Sequence, residues 1–461
     1  MPKNDLRHDH MPQLVLRLAL PTMLAQFVNV LYSIVDRMFI GHIPHLGTAA
    51  LAGVGVCGPI IAVLYSFAYL IGQGGTPLMA MALGAKKSGE ATAILSTCYR
   101  LLLLLGGILT VLFWGWERHF LWWFGVSART LPYAMTFLTI YIGGTTFALL
   151  SGGLNSFLIA QGRAGLGVGT VLIGALLNVS LDPILIFCLG WGVAGAAIST
   201  VISQVVSSGF AIYCLRHLDL PVTLTWGRWR PDLCRQILTL GLAPFLTYAL
   251  DSSLLILLNA TLQRTGGPGE GDLLVTCATI VQSYMLLITS PLSGITLGCQ
   301  GIVSFNLGAR NAPRVRQALW WVYLVCLGFC TIMGLITLLA TPLFTHLFTT
   351  DPTILHRSVP YIKLYSAGVL CMAAQWTVTD MGTALGKMKM ALTCSLIRKG
   401  IYVLGVLGLP RLIRPDAAFA AQPLCDVVAS VVSLLVFWQV VPRLLKQPGV
   451  NGTGASKQVS I

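Results

Sequence analysis

The chain has 461 residues, of which 56% are hydrophobic and only 10% charged, with a mean hydropathy of +0.80. Water-soluble domains carry about 25% charged residues, so the polar groups here cannot coat a water-facing surface; a cytosolic globule, a disordered chain and a nucleic-acid-binding domain are excluded. A polytopic membrane protein remains, and its net charge of +14 is a matter of loop placement, not of affinity for nucleic acid.

The segment from Met1 to His10 is polar and lacks the apolar core of a signal peptide, so the first apolar run is expected to be a retained span. Twelve apolar segments follow, at 15–38, 48–83, 91–116, 133–160, 165–189, 192–216, 235–262, 272–307, 317–341, 358–385, 390–410 and 416–441. A spanning helix needs about 20 residues. Runs of this length are too long for strands, and the alternation of a membrane barrel is absent. The expected fold class is therefore all-α, with twelve transmembrane helices. The second and eighth segments exceed a simple crossing and are expected to tilt or run on beyond the bilayer. Twelve Cys are present, but Cys57, Cys98, Cys188, Cys277, Cys326, Cys330, Cys371 and Cys394 sit in apolar runs, where they read as small buried hydrophobes.

Twelve spans place both termini on one side. That side holds 18 Lys and Arg against 8 on the other, with Arg100, Arg398 and Lys399 inside spans. The bias predicts a cell-membrane protein with both termini in the cytoplasm. The chain also repeats itself: Leu83-Gly84-Ala85-Lys86 returns as Leu307-Gly308-Ala309-Arg310, and Gly162-Arg163 as Gly386-Lys387, both at an offset of 224, while Pro21 and Pro244 are 223 apart. Two halves of six spans enter the membrane the same way round, so a pseudo-twofold axis along the membrane normal relates two six-helix bundles, a plan used by secondary transporters. The expected domains are an N-terminal bundle at 1–217, a cytoplasmic linker at 218–234, a C-terminal bundle at 235–445 and a disordered tail at 446–461. Neither a phosphate loop nor a dinucleotide fingerprint occurs, which removes ATP-driven pumping by this chain.

Ionisable residues inside a membrane are costly and mark function by default. Asp36, Asp182, Asp251, Asp380 and Asp426 qualify. Asn178 and Asp182 share a helix face, and Pro183 loosens the carbonyl of Val179. Such a set suits a hard cation; the same residues also suit a plain helix end near the interface. Asp36 has no natural partner in Arg37, because adjacent helical residues diverge, and its counterpart in the second half is the uncharged Asn259. Two carboxylates meeting in a low dielectric hold one proton or one cation between them. Arg398 and Lys399 are expected to find partners in Asp426 and Asp380, with Arg398–Asp426 as a structural ion pair. Gln26, Asn29, Ser151 and Asn155 are candidates for a polar cavity. The aromatic residues, among them Tyr32, Tyr65, Tyr69 and Tyr141, read as lipid-facing or packing residues.

Taken together, Pro21 with Val35-Asp36-Arg37-x-Phe39-Ile40-Gly41, Leu83-Gly84-Ala85, Gln161-Gly162-Arg163, Asn178-x-x-x-Asp182-Pro183, the run from Gly192 to Thr200 and Phe305-Asn306-Leu307-Gly308-Ala309 resemble the multidrug and toxic compound extrusion (MATE) family along the whole chain. The resemblance is to its bacterial DinF-like or MepA-like branch. It implies a V-shaped pair of bundles and a monomer that exports amphipathic organic cations in exchange for H⁺ or Na⁺, with membrane lipid as its surroundings, no other cofactor and no enzymatic activity. The positions matching the coupling-cation site of that branch are Asp36, Asn178, Asp182 and Thr200; those matching its cavity are Asn29, Asn155 and Gln204. A lipid-linked oligosaccharide flippase of the same superfamily is the alternative. Such a protein needs a cationic central cavity, and little Lys or Arg lies inside the first-half spans.

Overall fold

In a computed structural model, residues 4–44, 47–226, 230–267, 270–346 and 351–445 are described. The tail expected to be disordered at 446–461, and positions 227–229 of the linker, lie outside them. Fourteen α-helices carry these residues: α1 (Met11–Gly41), α2 (Gly47–Gly84), α3 (Ser88–Trp123), α4 (Leu131–Gly143), α5 (Thr145–Ala160), α6 (Ala164–Pro183), α7 (Gly192–His217), α8 (Pro231–Gly266), α9 (Glu270–Gly308), α10 (Ala312–His346), α11 (Pro352–Tyr365), α12 (Val369–Ala384), α13 (Met388–Leu412) and α14 (Ala421–Leu445). They make a multi-pass, all-α membrane protein. Among the described residues ten helices are long and apolar enough to cross a bilayer, and the bent pair α4–α5 makes an eleventh span. That pair bends by 57° at Gly144. The tenth expected segment is likewise two helices, α11 and α12, interrupted at 366–368, and at 14 and 16 residues each is too short to cross alone.

The helices overrun the apolar segments. The second and eighth reach 38 and 39 residues, as their length in the sequence requires, but α3 and α8 also reach 36 and α10 reaches 35. Hydropathy marks only the part of a helix that lies in lipid; its polar ends continue on backbone hydrogen bonding alone. Outward-facing side chains are apolar: Leu339 is 81% exposed and Trp438 71%. This inversion of the soluble pattern suits a hydrocarbon solvent.

The internal repeat is visible in the backbone. Lys86 and Arg310 are the two non-glycine residues with positive φ (61° and 56°) among those described, and Gly162 and Gly386 have φ of 79° and 71°. Each ends a helix in the same way, the following amide bonding five residues back: Lys87 N to Ala82 O, Asn311 N to Asn306 O, Arg163 N to Leu158 O and Lys387 N to Gly382 O. These are left-handed helix stops. In the first pair the glycine lies two residues earlier, where it serves a different need. A Cβ on Gly84 would sit 1.9 Å from the carbonyl oxygen of Phe305, and one on Gly308 would sit 1.9 Å from that of Met81. Helices α2 and α9 therefore cross backbone to backbone.

The same economy recurs at α2 against α8, where a Cβ on Gly241 would lie 1.7 Å from Leu70 O and one on Gly74 2.2 Å from Ile237 O. It recurs again at α1 against α9, where Gly294 and Gly298 approach Thr22 and Leu18. One buried core joins the first third of α1 (Met11, Leu14, Val15, Leu18) to helices of the second half; the other joins the start of α8 (Leu233, Ile237) to helices of the first half. The segment before α1 ties the halves further. Asn4 Nδ2 donates to Gly162 O (2.9 Å), Asn306 Nδ2 to Leu6 O (3.1 Å) and an Arg314 guanidinium nitrogen to Asp9 O (2.9 Å).

The glycine seam predicts that Gly241→Ala, which leaves no room for its methyl group, costs about 1–3 kcal/mol through overpacking and lowers the melting temperature of the purified protein. Gly328→Ala, whose Cβ meets nothing within 4 Å, leaves the melting temperature unchanged or raises it. Equal melting temperatures for the two variants would show that the seam is not tight.

Candidate functional site

Along α1, the residues Thr22, Gln26, Asn29, Ser33 and Asp36 recur every three or four positions and so form one polar stripe on an apolar helix. Lipid would penalise that stripe. The fold turns it instead toward α5, α6 and α7, where it lines a cavity of about 470 Å³. Gln26, Asn29, Asn155 and Gln204 all line this cavity. Asn29 Nδ2 donates to Gln26 Oε1 (3.2 Å) and Gln204 Nε2 to the Tyr141 hydroxyl (3.3 Å).

Four of the aromatic residues read from sequence as lipid-facing or packing side chains, Tyr32, Tyr65, Tyr69 and Tyr141, also line the cavity. Tyr32 follows Asn29 by three residues and precedes Asp36 by four, so it shares the polar stripe of α1; for Tyr65, Tyr69 and Tyr141, on largely apolar helices, nothing in the sequence says which face meets lipid. Gly152 makes the space for one of them, because a Cβ there would lie 2.4 Å from the Tyr65 hydroxyl.

At one end of the stripe the acids gather. Asp182 is fully buried and Asn178 is 2% exposed. They stand one turn apart on α6, which does not stop at Pro183 but continues as a π-turn over Ile184–Cys188. Proline removes a backbone donor and displaces the carbonyl one turn back; the wider turn takes up that fault, so Asp182 stays deep in the bundle and does not lie at a frayed helix end. Asp36 of α1 neighbours Asp182 of α6. Asp36 also lines the cavity, whereas Asp182 sits behind it.

Helix α7 supplies hydroxyls. Ser199, which sequence reasoning did not single out, donates to one carboxylate oxygen of Asp182. Asn178 Nδ2 donates to Ser199 Oγ (3.2 Å) and Thr200 Oγ1 (3.4 Å), and Thr200 Oγ1 in turn donates to Ala196 O (2.9 Å). The signal for Ser199 was weak: it adjoins Thr200 in the glycine-rich run, but adjacent helical residues point about 100° apart, so that both hydroxyls reach Asn178 is seen only in the folded chain. Three buried acceptors, Asp36 Oδ1, Asn178 Oδ1 and Asp182 Oδ2, have no hydrogen-bond donor among the described residues. Buried oxygens are normally satisfied. Two carboxylates and an amide left as acceptors in one place make a set that a proton or a hard monovalent cation would complete.

The second half is built differently. Arg398 on α13 holds Asp426 on α14 through two nitrogens at 3.1 and 2.9 Å, and Gln422 Nε2 donates to both oxygens of the same carboxylate (3.2 and 3.0 Å). Lys399 pairs with Asp251 on α8 and not with Asp380 as its position in the sequence suggested. Asp380 accepts from Thr296 Oγ1 at 2.5 Å. Successive residues on α13 point about 100° apart, so Arg398 and Lys399 reach different neighbouring helices, α14 and α8. Cys188 is exposed and Cys371 half-exposed, against the buried positions expected for both.

Breaking one side of a buried ion pair strands the other charge. Asp426→Ala is expected to cost about 3–5 kcal/mol, and replacing Arg398 and Asp426 together by leucine much less. Thermal melting of the single and double variants checks this; additive losses would show that the two charges are uncoupled.

Comparison with known proteins places this geometry. The family model MatE matches residues 21–184 and again residues 245–406, so the two matches begin 224 residues apart and follow the internal repeat. The multidrug export protein MepA of Staphylococcus haemolyticus is 25% identical over 395 residues, covering 85% of each chain. MepA of Staphylococcus aureus is 24% identical over 397 residues, covering 84% of this chain and 85% of its own. A MATE protein solved in complex with MaL6 superposes with a TM-score of 0.89 at 22% identity, over 96% of this chain and 98% of that one, and shows the same fold of two bundles. With the family model matching both halves of its length, the chain belongs to the MATE family of membrane transporters.

Proposed function

We propose that this protein is a secondary active multidrug exporter that moves amphipathic organic cations outward by alternating access, in exchange for H⁺ or Na⁺. Both termini are read as cytoplasmic from the distribution of Lys and Arg, with residues 1–217 and 235–445 as the two lobes. The observation that carries the reading is the trio of buried, unsatisfied acceptor oxygens on Asp36, Asn178 and Asp182. The export names of the staphylococcal relatives and the aromatic, amide-bearing cavity beside the trio support the substrate class.

The coupling follows from where Asp36 stands. Its carboxyl faces Asp182 on one side and the cavity on the other. Two neighbouring carboxylates repel, and a shared proton or Na⁺ relieves that repulsion. Asn178 contributes a neutral oxygen, while Ser199 and Thr200 orient Asn178 and Asp182. An organic cation entering the cavity attracts the Asp36 carboxylate and weakens its hold on the smaller ion. Substrate and coupling ion thus compete for one group, which is the condition for exchange and not co-transport. The tyrosines and amides supply adaptable contacts to flat, weakly hydrated cations.

Reconstitution in liposomes, with a pH gradient and a Na⁺ gradient imposed separately, identifies the coupling ion from which gradient drives movement of a fluorescent cation. Asp36→Asn is expected to lower gradient-driven export at least tenfold at normal expression and unchanged melting temperature. Ser199→Ala, which keeps both carboxyls but loses the donor to Asp182, is expected to retain part of the activity. Full export by Asp36→Asn overturns the coupling assignment.

A further inference from the structure

Above the glycine seam the two lobes are joined by rings. Tyr69 of α2 and Tyr248 of α8 lie face to face, with centroids 3.9 Å apart and planes 8° from parallel. Tyr65 meets Tyr69 edge-on at 5.5 Å, and Phe67 meets Phe245 across the same seam at 4.8 Å. The stack adjoins the tightest backbone contact of the molecule, Leu70 on Gly241. It also separates two spaces. Tyr69 lines the large cavity, whereas Tyr248 lines a small one of about 40 Å³ with Asp251, Asp380 and Lys399. The Tyr248 hydroxyl is held by Ser293 at 3.1 Å, and Asp380 lines the small cavity beside Tyr248.

Two parallel rings on opposite lobes, half-buried, with a carboxylate nearby, offer to each other the π-face that a flat cation would seek. We infer that Tyr69 and Tyr248 are specificity-determining residues for planar aromatic cations: the substrate ring takes the place of the partner ring in the stack and so exchanges a bond between the lobes for a bond to cargo. This rests on the reading of the protein as an organic-cation exporter and adds to it which residues select flat substrates. The geometry favours the role over plain packing because neither ring is fully buried, and each lines a cavity on its own side of the stack.

The test uses the purified full chain and two cations, ethidium, which is planar and aromatic, and tetraethylammonium, which has no ring. Ethidium binding is followed by fluorescence anisotropy and radiolabelled tetraethylammonium by equilibrium binding. Tyr69→Leu and Tyr248→Leu are expected to weaken ethidium about tenfold, Tyr69→Phe and Tyr248→Phe to stay within twofold of wild type, and all four to bind tetraethylammonium within twofold. Leucine variants that bind ethidium like wild type, or that lose both cations equally, overturn the inference. If the wild-type chain binds neither cation, the exporter reading itself fails; if it binds both and the leucine variants match it, only the role of the stack fails.

Discussion

The constraint on which the rest of the structure depends is the approach of backbone to backbone where the lobes cross. Within lipid there is little hydrophobic force to drive one helix against another, so association relies on close packing and on what the absence of side chains permits. Gly84 and Gly308 serve each other's helix, Gly74 and Gly241 a second crossing, and Gly294 and Gly298 a third. These contacts draw α1, α2, α8 and α9 together near the face that carries the chain terminus. They set where the lobes touch, and so where the polar stripe of α1 lies and where the first rings beyond the seam meet.

The same scaffold, used twice, treats membrane charge in two ways. In the second half the two cations inside spans each have an acid: Arg398 with Asp426, Lys399 with Asp251. Those groups are mutually satisfied and tie α13 to α14 and α8. In the first half Asp36, Asp182 and Asn178 gather with the hydroxyls of Ser199 and Thr200, and one oxygen of each has no hydrogen-bond partner among the described residues, although Arg37 lines the same cavity. Unsatisfied acceptors are expensive in a low dielectric, and that expense is the reason the coupling ion is proposed there. The divergence of Asp36 from Asn259, its counterpart, is the sequence trace of this difference.

Much of the fold was legible in order and number. The apolar runs follow from the solvent, because a bilayer demands helices of a minimum length. The repeat could be read at Leu83–Lys86 and Leu307–Arg310 because a helix stop and a helix crossing both require particular residues at fixed places. Helix ends were less legible, since backbone hydrogen bonding carries α3, α8 and α10 past the apolar limit. The breaks at Gly144 and at 366–368 were not foreseen, because a short bend leaves hydropathy almost unchanged.

Of the candidate site, the sequence by itself determined which groups lie at membrane depth: Asp36, Asn178, Asp182, Gln26, Asn29 and Asn155 are costly there whatever the fold, and that cost is a property of the residue and its solvent. Only the tertiary structure decided which of them meet. That Ser199 stands between Asn178 and Asp182, that Lys399 turns to Asp251, and that Tyr69 lies on Tyr248 depend on the rotation of one helix against another. An all-apolar helix has no pattern to reveal its rotation, and glycine contacts between distant segments fix it only when the chain is folded.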